Sequence, residues 1–262
     1  GVALALVMGG PGAIFWMWIV ALVGMATSFA ESVLAQVYKE KHPDGVFRGG
    51  PEYYMRKGLG WKQAGIIFAV ISVVASGLAV PMVQINTVAA TFNANHDISP
   101  YSTMLFTFLL LAPVILGGIK SVARASEYLA PIMAAVYILI SIVVIILNPA
   151  AALAALVLII KSAFGFGPIA GGILGGIFIA LVNGARRGLF SNEAGLGTTP
   201  HAAGSATVAH PAQQGFLQAF GVFIDTIIVC TVTALLILTS GLYEAGMDPE
   251  LAGSLTAQSV SA

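Results

Sequence analysis

Residues 183–201 read Asn-Gly-Ala-Arg-Arg-Gly-Leu-Phe-Ser-Asn-Glu-Ala-Gly-Leu-Gly-Thr-Thr-Pro-His and lie within the otherwise apolar run from Ile169 to Ala206. A continuous helix through this stretch is disfavoured. Gly195 and Gly197 each weaken a helix by up to ~1 kcal/mol, and Pro200 has no backbone N–H to donate to the helical ladder. The stretch therefore predicts a discontinuous helix, broken in the middle of an apolar segment.

A broken helix inside a membrane leaves backbone amides and carbonyls unpaired, which is tolerated only where they line a cavity or meet a ligand. Its half-helix ends favour a carboxylate at one terminus and a cation at the other. The alternative is a long helix that ends near Phe190 and continues into a re-entrant or cytoplasmic loop, with Arg186 and Arg187 marking the interface. We expect Glu193 to form a structural pair with Arg186 or Arg187 rather than to touch a ligand.

The composition indicates a membrane protein. Of 262 residues, 58% are hydrophobic and only 8% are charged, whereas soluble domains carry about 25% charged residues. The 11 basic and 11 acidic residues cancel, which argues against a nucleic-acid partner. The single cysteine, Cys230, leaves no disulfide framework, and the histidine spacing does not suggest a zinc site.

Apolar segments of about 20 residues predict an all-α, polytopic integral membrane protein. The predicted spans are Ile14–Tyr38, Ala64–Phe92, Tyr101–Ile119, Glu127–Leu147, Ile169–Ala206 and Gly215–Leu242. Residues 1–8 look like the end of an earlier helix, and Ala150–Ile160 is short enough to be an interfacial helix rather than a span.

The loops differ in charge. Lys and Arg crowd residues 39–62 and mark residues 120–124, whereas the loop around Asp97 and the acidic tail carry none. By the positive-inside rule, the basic loops at 39–62 and 120–124 are predicted to be cytoplasmic. Because successive spans place their connecting loops on alternate sides of the membrane, the 207–213 connection is predicted to be cytoplasmic as well.

Asp225 lies near the middle of a predicted span, where an ionisable group suggests a function. The +4, +3, +4 spacing of Gln214, Gln218, Gly221 and Asp225 predicts one polar stripe that faces protein rather than lipid. Asp225 could neutralise a transported cation, pair with an arginine of the preceding span, or fix the helix register through a buried ion pair. Thr226, Cys230 and Thr233 form a second, weaker stripe.

Another polar position follows a proline. Pro81 cannot donate to the carbonyl of Gly77, and Gln84 comes three residues later on the same face as Gly77. Gln84 offers both a donor and an acceptor, as a zwitterionic ligand requires. The alternative is that Gln84 bonds two helices together, which in membranes contributes about 0.6 kcal/mol on average.

Four long stretches now resemble the sodium/alanine symporter family (alanine or glycine:cation symporters). They are Gly9-Gly-Pro-Gly-Ala-Ile-Phe-Trp-Met-Trp-Ile-Val-Ala-Leu-Val-Gly24, Phe47-Arg-Gly-Gly-Pro-Glu-Tyr-Tyr-Met-Arg-Lys-Gly58, Arg187-Gly-Leu-Phe-Ser-Asn-Glu-Ala-Gly-Leu-Gly-Thr-Thr-Pro200 and Phe223-Ile-Asp-Thr-Ile-Ile-Val-Cys-Thr-Val-Thr233. The resemblance implies an amino acid–polyamine–organocation-type fold, a five-plus-five inverted repeat in which helices 1 and 6 are the broken pair. It also implies that this chain is an internal fragment running from the end of helix 1 through helix 7. Residues 1–150 would form most of the first repeat and residues 165–242 the first two helices of the second.

The function implied by the resemblance is sodium-coupled uptake of alanine, glycine or another small neutral amino acid across a prokaryotic plasma membrane. Sodium would be the coupling ion, and no enzymatic cofactor would be needed. The substrate-binding residues carried over are Gln84, Gly77, Phe190, Ala194 and Gly195. Asn192 and Thr226 are candidate sodium ligands, and the charges at Arg186, Arg187, Glu193 and Asp225 are assigned to structure or coupling.

Other functions remain alternatives. Proton coupling would keep the fold and change the driving ion. An ion channel could also use broken helices to line a pore, and a membrane-embedded enzyme could use Glu193, His201 or Asp225 as an acid or base. An enzyme would also need a nucleophile or metal constellation, which the motifs do not supply.

Overall fold

The computed structural model describes residues 1–43, 45–165 and 172–261. Its helices, in chain order, are α1 (Val2–Gly9), α2 (Gly12–Val37), α3 (Pro51–Lys57), α4 (Lys62–His96), α5 (Pro100–Leu116), α6 (Gly118–Leu147), α7 (Pro149–Ala163), α8 (Gly172–Asn192), α9 (Thr198–Ser205), α10 (Pro211–Thr239) and α11 (Ala252–Ser261). Strands β1 (Glu40–Lys41) and β2 (Phe47–Arg48) pair antiparallel between α2 and α3, and a 3-10 turn spans Pro249–Leu251.

Four of these helices are long and apolar enough to cross a membrane: α2, α4, the Lys120–Leu147 part of α6, and α10. The helix α5 and the helix α7 are apolar but shorter. These lengths confirm a mostly helical chain consistent with a polytopic membrane protein. Residues 169–171 of the predicted span Ile169–Ala206 lie outside the described residues.

The centre of the bundle is α2, which packs against α7, α8, α9 and α10. Small residues allow the close approach. A Cβ on Gly184 of α8 would lie 2.7 Å from the Cβ of Trp16, and one on Gly12 would lie 2.5 Å from the backbone of Ala163. Interfaces of this kind are typical of helices packed in membranes, where small residues let backbones meet.

The apolar core joins α1 and the start of α2 to α7, the second half of α10, and α11. Its fully buried or nearly buried large side chains include Leu6, Ile14, Met17, Ile159, Ile237 and Leu255. The α2–α10 contact also carries a hydrogen bond, in which Trp18 Nε1 donates to Thr231 Oγ1 at 2.7 Å. Residues 1–8, predicted to be the end of a helix, are indeed helical and belong to this core.

The helix α4 contains a π-helical segment at Ala75–Ala79, where the N–H of Val80 bonds the carbonyl of Ala75, five residues earlier. Pro81 follows directly and cannot donate to Gly77. A wider turn accommodates the proline ring without ending the helix, so α4 runs through the proline rather than stopping at it.

The structure corrects one predicted loop. Residues 120–124 are helical, because the turn occurs earlier, at Gly117 and Gly118, and Gly118 has a φ of 73°. Lys120 and Arg124 therefore occupy the first turns of α6 instead of a connection. Their predicted cytoplasmic location stays a prediction.

The short apolar segment predicted at Ala150–Ile160 is the helix α7. One of its faces, with Ala152, Ala155 and Ile159, is buried, and the helix packs against α2 and the second half of α10. Its position relative to a membrane interface stays a prediction.

Candidate functional site

The predicted interruption of the helix is confirmed. The helix α8 ends at Asn192 and α9 begins at Thr198. Between them the backbone enters the left-handed region three times, at Glu193 (φ 56°), Gly195 (φ 83°) and Gly197 (φ 87°). Glycine tolerates this conformation, whereas Glu193 is held in it by its surroundings.

Pro200 does not cause the break. It lies in the first turn of α9, where a helix needs no backbone N–H from that residue. The glycines, with their left-handed backbone, are therefore the residues that end one helix and start the next.

Side chains satisfy backbone donors at the break. The N–H of Ala194 donates to Asn192 Oδ1 at 3.0 Å, and the N–H of Gly195 donates to Glu31 Oε2 of α2 at 3.2 Å. The Thr198 hydroxyl donates to the carboxylate of Glu193. Carboxylates from α2 and from the break itself, Glu31 and Glu193, thus surround the bend, as expected where helix N–H groups are exposed.

The expected pairing of Glu193 with Arg186 or Arg187 is wrong for the described residues. The left-handed backbone at Glu193 turns its carboxylate towards Thr198 of α9 and away from the preceding turns of α8. Arg187 instead has a buried Nε without a hydrogen-bond partner among the residues that the structure describes.

Asp225 lies in a π-helical segment of α10, Phe223–Val229. Its Oδ2 accepts hydrogen bonds from Ser191 Oγ at 2.6 Å and from Thr226 Oγ1 at 3.1 Å. No described arginine forms an ion pair with Asp225. In place of an arginine of the preceding span, its partner there is Ser191, in the last turn of α8. π-helical segments recur at functional sites because they re-aim side chains.

A polar cavity of about 120 Å3 opens between α2, α8 and α10. Its polar lining includes Ser28, Ser191, Asn192, Glu193, Gln218 and Asp225. The prediction that the stripe on α10 faces protein is confirmed at Gln214, which is buried, and at Gln218 and Asp225, which line this cavity. Gly221 also lines the cavity but is exposed. The second stripe is buried as well, at Thr226, Cys230 and Thr233.

The half-helix α9 is held at its far end by α2. Gln36 donates to the carbonyls of Ala203 and Ala206, the latter at 2.9 Å, and Lys39 donates to the carbonyl of Ala206 at 2.7 Å. These side chains satisfy carbonyls at the C-terminal end of α9, where positive charge is favoured.

His201, in the middle of α9, forms an ion pair with Glu52 of α3, at 2.9 Å from Nε2 to Oε2. Its ring stacks on Phe68 of α4, with the ring centroids 6.4 Å apart. The hydrogen bond to Glu52 raises the pKa of His201 above its ordinary value of 6.5, and burial opposes that shift.

The residues predicted to bind substrate fall into two places. Phe190, half-buried, and Ala194, only 3% exposed, lie at the break together with Gly195. Gln84 and Gly77 are exposed on α4 and line a different, mainly apolar groove of about 790 Å3 between α4 and α5. Their role as substrate ligands stays a prediction.

Sequence reasoning missed Glu31, Ser28 and the His201–Glu52 pair. Glu31 could have been found by the rule that singled out Asp225, since it is an ionisable residue inside an apolar span. The His201–Glu52 pair joins residues 149 positions apart, and no local pattern signals it.

Comparisons with known proteins show which family the sequence belongs to. A sequence model of the sodium:alanine symporter family matches residues 1–262. The chain is 50% identical to the amino-acid carrier protein AlsT of Bacillus subtilis (strain 168), an alignment that covers 91% of this chain and 50% of that protein. It is 46% identical to the protein named "Probable sodium/glutamine symporter GlnT" of the same organism, over 100% of this chain and 53% of that protein.

An archaeal relative shows the same partial coverage. The chain is 42% identical to the sodium/alanine symporter AgcS of Methanococcus maripaludis, over 100% of this chain and 58% of that protein. The chain thus spans about half the length of the curated relatives that it matches. The family model that matches all 262 residues describes a family of transporters, and four described helices are long and apolar enough to cross a membrane. The chain belongs to the sodium:alanine symporter family.

Proposed function

We propose that the protein containing this chain is a secondary active transporter that couples sodium entry to the uptake of small neutral amino acids through a prokaryotic plasma membrane. The observation that carries the proposal is the break between α8 and α9, bordered by a polar cavity within apolar helices. Membrane proteins keep irregular backbone of this kind where it lines a cavity or binds a ligand.

The break suits a zwitterion. The carbonyl end of α8 favours the ammonium group of an amino acid, and the N–H end of α9 favours its carboxylate. Phe190, Ala194 and Gly195 form the proposed substrate surface at this point. A Cβ on Gly195 would meet only Thr27 Cγ2, at 3.8 Å, so there is free space beside the backbone for a small ligand.

Gln84 and Gly77 are proposed to complete the substrate site from α4. Both residues lie beside the α4–α5 groove and not at the break. A separate substitution, Gln84→Ala, therefore tests their role. Asn192 and Thr226 are proposed to contribute oxygen atoms to sodium binding. Both are buried, and they lie on the two helices that the Ser191–Asp225 bond joins.

The proposed architecture is a five-plus-five inverted repeat, with residues 1–150 in the first repeat and residues 165–242 in the second. Support comes from the broken helix itself, because discontinuous helices occur in corresponding positions of such repeats.

The test is uptake of radiolabelled alanine by proteoliposomes containing the full-length protein, with and without an inward sodium gradient. Accumulation that requires the sodium gradient is the expected result. Uptake that follows a proton gradient and does not depend on sodium would identify the proton as the coupling ion. Failure to accumulate alanine, glycine or glutamine under either gradient would contradict the proposal.

Two variants test the substrate surface in the same assay. Gly195→Leu should abolish uptake by filling the space at the break. Gly60→Leu is the matched control, since Gly60 also has positive φ (72°) but faces open space in the α3–α4 connection. Gln84→Ala should weaken alanine affinity by about tenfold or more, equal to ~1.4 kcal/mol. Normal affinity in a folded Gln84→Ala protein would remove Gln84 from the site.

A further inference from the structure

The polar cavity between α2, α8 and α10 is distinct from the open backbone at Gly195. It lies behind the break, where the last turn of α8 meets Ser28 of α2 and Asp225 of α10. Its volume of about 120 Å3 holds a small ion with a few water molecules.

The cavity is lined by acidic side chains. Glu193 and Asp225 both line it, and no lysine or arginine is among its lining residues in the described part of the chain. Hydroxyl groups donate to both carboxylates, from Thr198 and from Ser191, but these donors are neutral. Two carboxylates among apolar helices need a compensating positive charge, because an uncompensated buried charge is strongly unfavourable.

Buried polar atoms around the cavity also lack partners. Ser28 is wholly buried, and its Oγ has no hydrogen-bond partner among the described residues. Asn192 is 7% exposed, and its Nδ2 is likewise unpaired in the described part of the chain. Since buried polar groups in proteins nearly always have hydrogen-bond partners, these atoms indicate that the cavity binds water or a polar ligand.

The available donors are oxygen atoms. Carboxylates, a serine hydroxyl and the amide oxygen of Gln218 are hard ligands, which favour hard cations over transition metals. Among the described residues there is no group of three or more His, Cys, Asp or Glu side chains that could hold a metal. Two carboxylates supplemented by neutral oxygens suit an alkali cation.

We propose that this cavity binds one sodium ion, with Asp225 as its principal charged ligand and with Ser28 and Gln218 as neutral ligands, in addition to the oxygen atoms proposed above at Asn192 and Thr226. The inference rests on the proposed function and specifies where its coupling ion binds. Ser191 and Thr226 position the Asp225 carboxylate through their hydrogen bonds. Because Ser191 and Asn192 end α8 and Glu193 is the first residue of the break, an ion held there connects the break to α2 and α10.

The test measures sodium binding directly, without amino acid. The thermal midpoint of the detergent-solubilised full-length protein is followed while sodium chloride replaces choline chloride at constant ionic strength. A ligand that binds only the folded state raises this midpoint as its concentration exceeds the dissociation constant. Asp225→Asn should raise the half-saturating sodium concentration by about tenfold or more. Asp97→Asn, in the exposed α4–α5 connection, is the matched control and should leave it unchanged.

Ser28→Ala keeps the test decisive if Asp225→Asn does not fold. It removes an unpaired buried hydroxyl, so the sodium-free protein should be at least as stable as the wild type. Its half-saturating sodium concentration should nevertheless rise by about threefold or more. The combination of retained stability and weakened sodium binding separates ligation from a structural role.

Unchanged sodium half-saturation in a folded Asp225→Asn or Ser28→Ala protein would overturn the inference. A wild-type midpoint that follows pH and ignores sodium would also overturn it, in favour of a proton site. Alanine uptake by proteoliposomes that contain the same variants distinguishes failure of this sodium site from failure of the proposed function. Sodium-driven alanine uptake that survives both substitutions leaves the proposed function intact and rejects this site, whereas absence of sodium-driven uptake in the wild type rejects the proposed function.

Discussion

Gly197 carries two structural requirements at one position. Its φ of 87° is rarely adopted by other residues, and a Cβ there would run into the ring of Phe68 and lie 3.1 Å from Pro51 Cγ. The residue therefore fixes both the direction in which the chain enters α9 and the distance of α9 from α3 and α4. A side chain as small as a methyl group violates both requirements.

Gly197→Ala should lower the stability of the full-length protein by about 1–3 kcal/mol, from the backbone strain alone. The measurement is the thermal midpoint in detergent by size-exclusion chromatography after heating. Gly175→Ala, at a position in α8 with open space and no positive φ, is the control and should leave the midpoint unchanged or raise it slightly. Equal midpoints for the two variants would show that Gly197 is not required for this turn.

The His201–Glu52 pair makes stability depend on pH. Glu52 raises the pKa of His201 above 6.5, so folding favours the protonated ring. The resulting stabilisation is complete below pH 6.5 and is lost as the pH rises through the raised pKa of the folded protein. This pair joins α3 to α9, and neither helix is among the four that are long and apolar enough to cross a membrane.

Glu52→Gln should lower the thermal midpoint by about 2 °C at pH 6, with the effect reduced by solvent exposure of the pair, and should have almost no effect at pH 9. The measurement is the midpoint of wild type and variant from pH 5.5 to 9. Glu244→Gln, at an exposed carboxylate, is the control. A difference between the midpoints of wild type and variant that grows as the pH rises would contradict a stabilising His201–Glu52 pair.

At the scale of elements, α9 shows how a short helix persists. Its eight residues are too few for an isolated helix to be stable in water. It is held at both ends and in the middle, by Glu193 at Thr198, by Glu52 at His201, and by Gln36 at the last carbonyls. Because the contacts from Glu52 and Gln36 come from distant parts of the chain, α9 depends on tertiary contacts.

Gln36→Ala should loosen α9 without unfolding the bundle. Two hydrogen bonds to buried carbonyls are lost, at about 1 kcal/mol each, which corresponds to roughly tenfold or faster local opening. The measurement is hydrogen–deuterium exchange of peptides that cover Thr198–Ser205. Gln63→Ala, at an exposed position near the start of α4, should not change that exchange. Unaltered exchange of α9 in the Gln36 variant would mean that the hydrogen bonds from Gln36 do not stabilise this helix.

At the scale of the whole molecule, the described helices divide into a packed group and an apolar surface. In the most apolar part of α4 no residue is buried, whereas a large share of α10 is buried against other helices. Many of the large exposed side chains on α4 and α6 are aliphatic, for example Val73 at 72% exposure and Ile146 at 69%. Such a surface suits the hydrocarbon core of a bilayer.

Val73→Asp should therefore impair membrane insertion of the full-length protein, since an aspartate near the centre of a span costs about 2.5–3.5 kcal/mol. The measurement is the fraction of expressed protein that resists extraction from membranes with alkaline carbonate. Gln63→Asp, at the polar start of the same helix, is the control and should insert normally. Equal insertion of both variants would contradict a lipid environment for this part of α4.

Local chemistry made the break and four of the six predicted spans predictable, whereas α5, at the predicted span Tyr101–Ile119, is a shorter helix. Hydropathy, glycine content and the absence of charges are properties of neighbouring residues, so four helices long enough to span a membrane and the interruption between α8 and α9 followed from the amino-acid sequence. The polar stripe on α10 was predictable for the same reason, because helical periodicity places Gln218, Gly221 and Asp225 on one face. The family resemblance agreed with these features along the whole chain.

Only the tertiary structure decided the partners of the charged groups. Asp225 bonds Ser191, 34 positions away, and Glu31 receives the N–H of Gly195, 164 positions away. These pairings depend on how each helix is rotated against its neighbours, which periodicity on one helix does not specify. Glu193 shows the same limit at short range: its left-handed backbone turned the carboxylate to Thr198 instead of an arginine, since the bend is set by packing against α2 as well as by glycine.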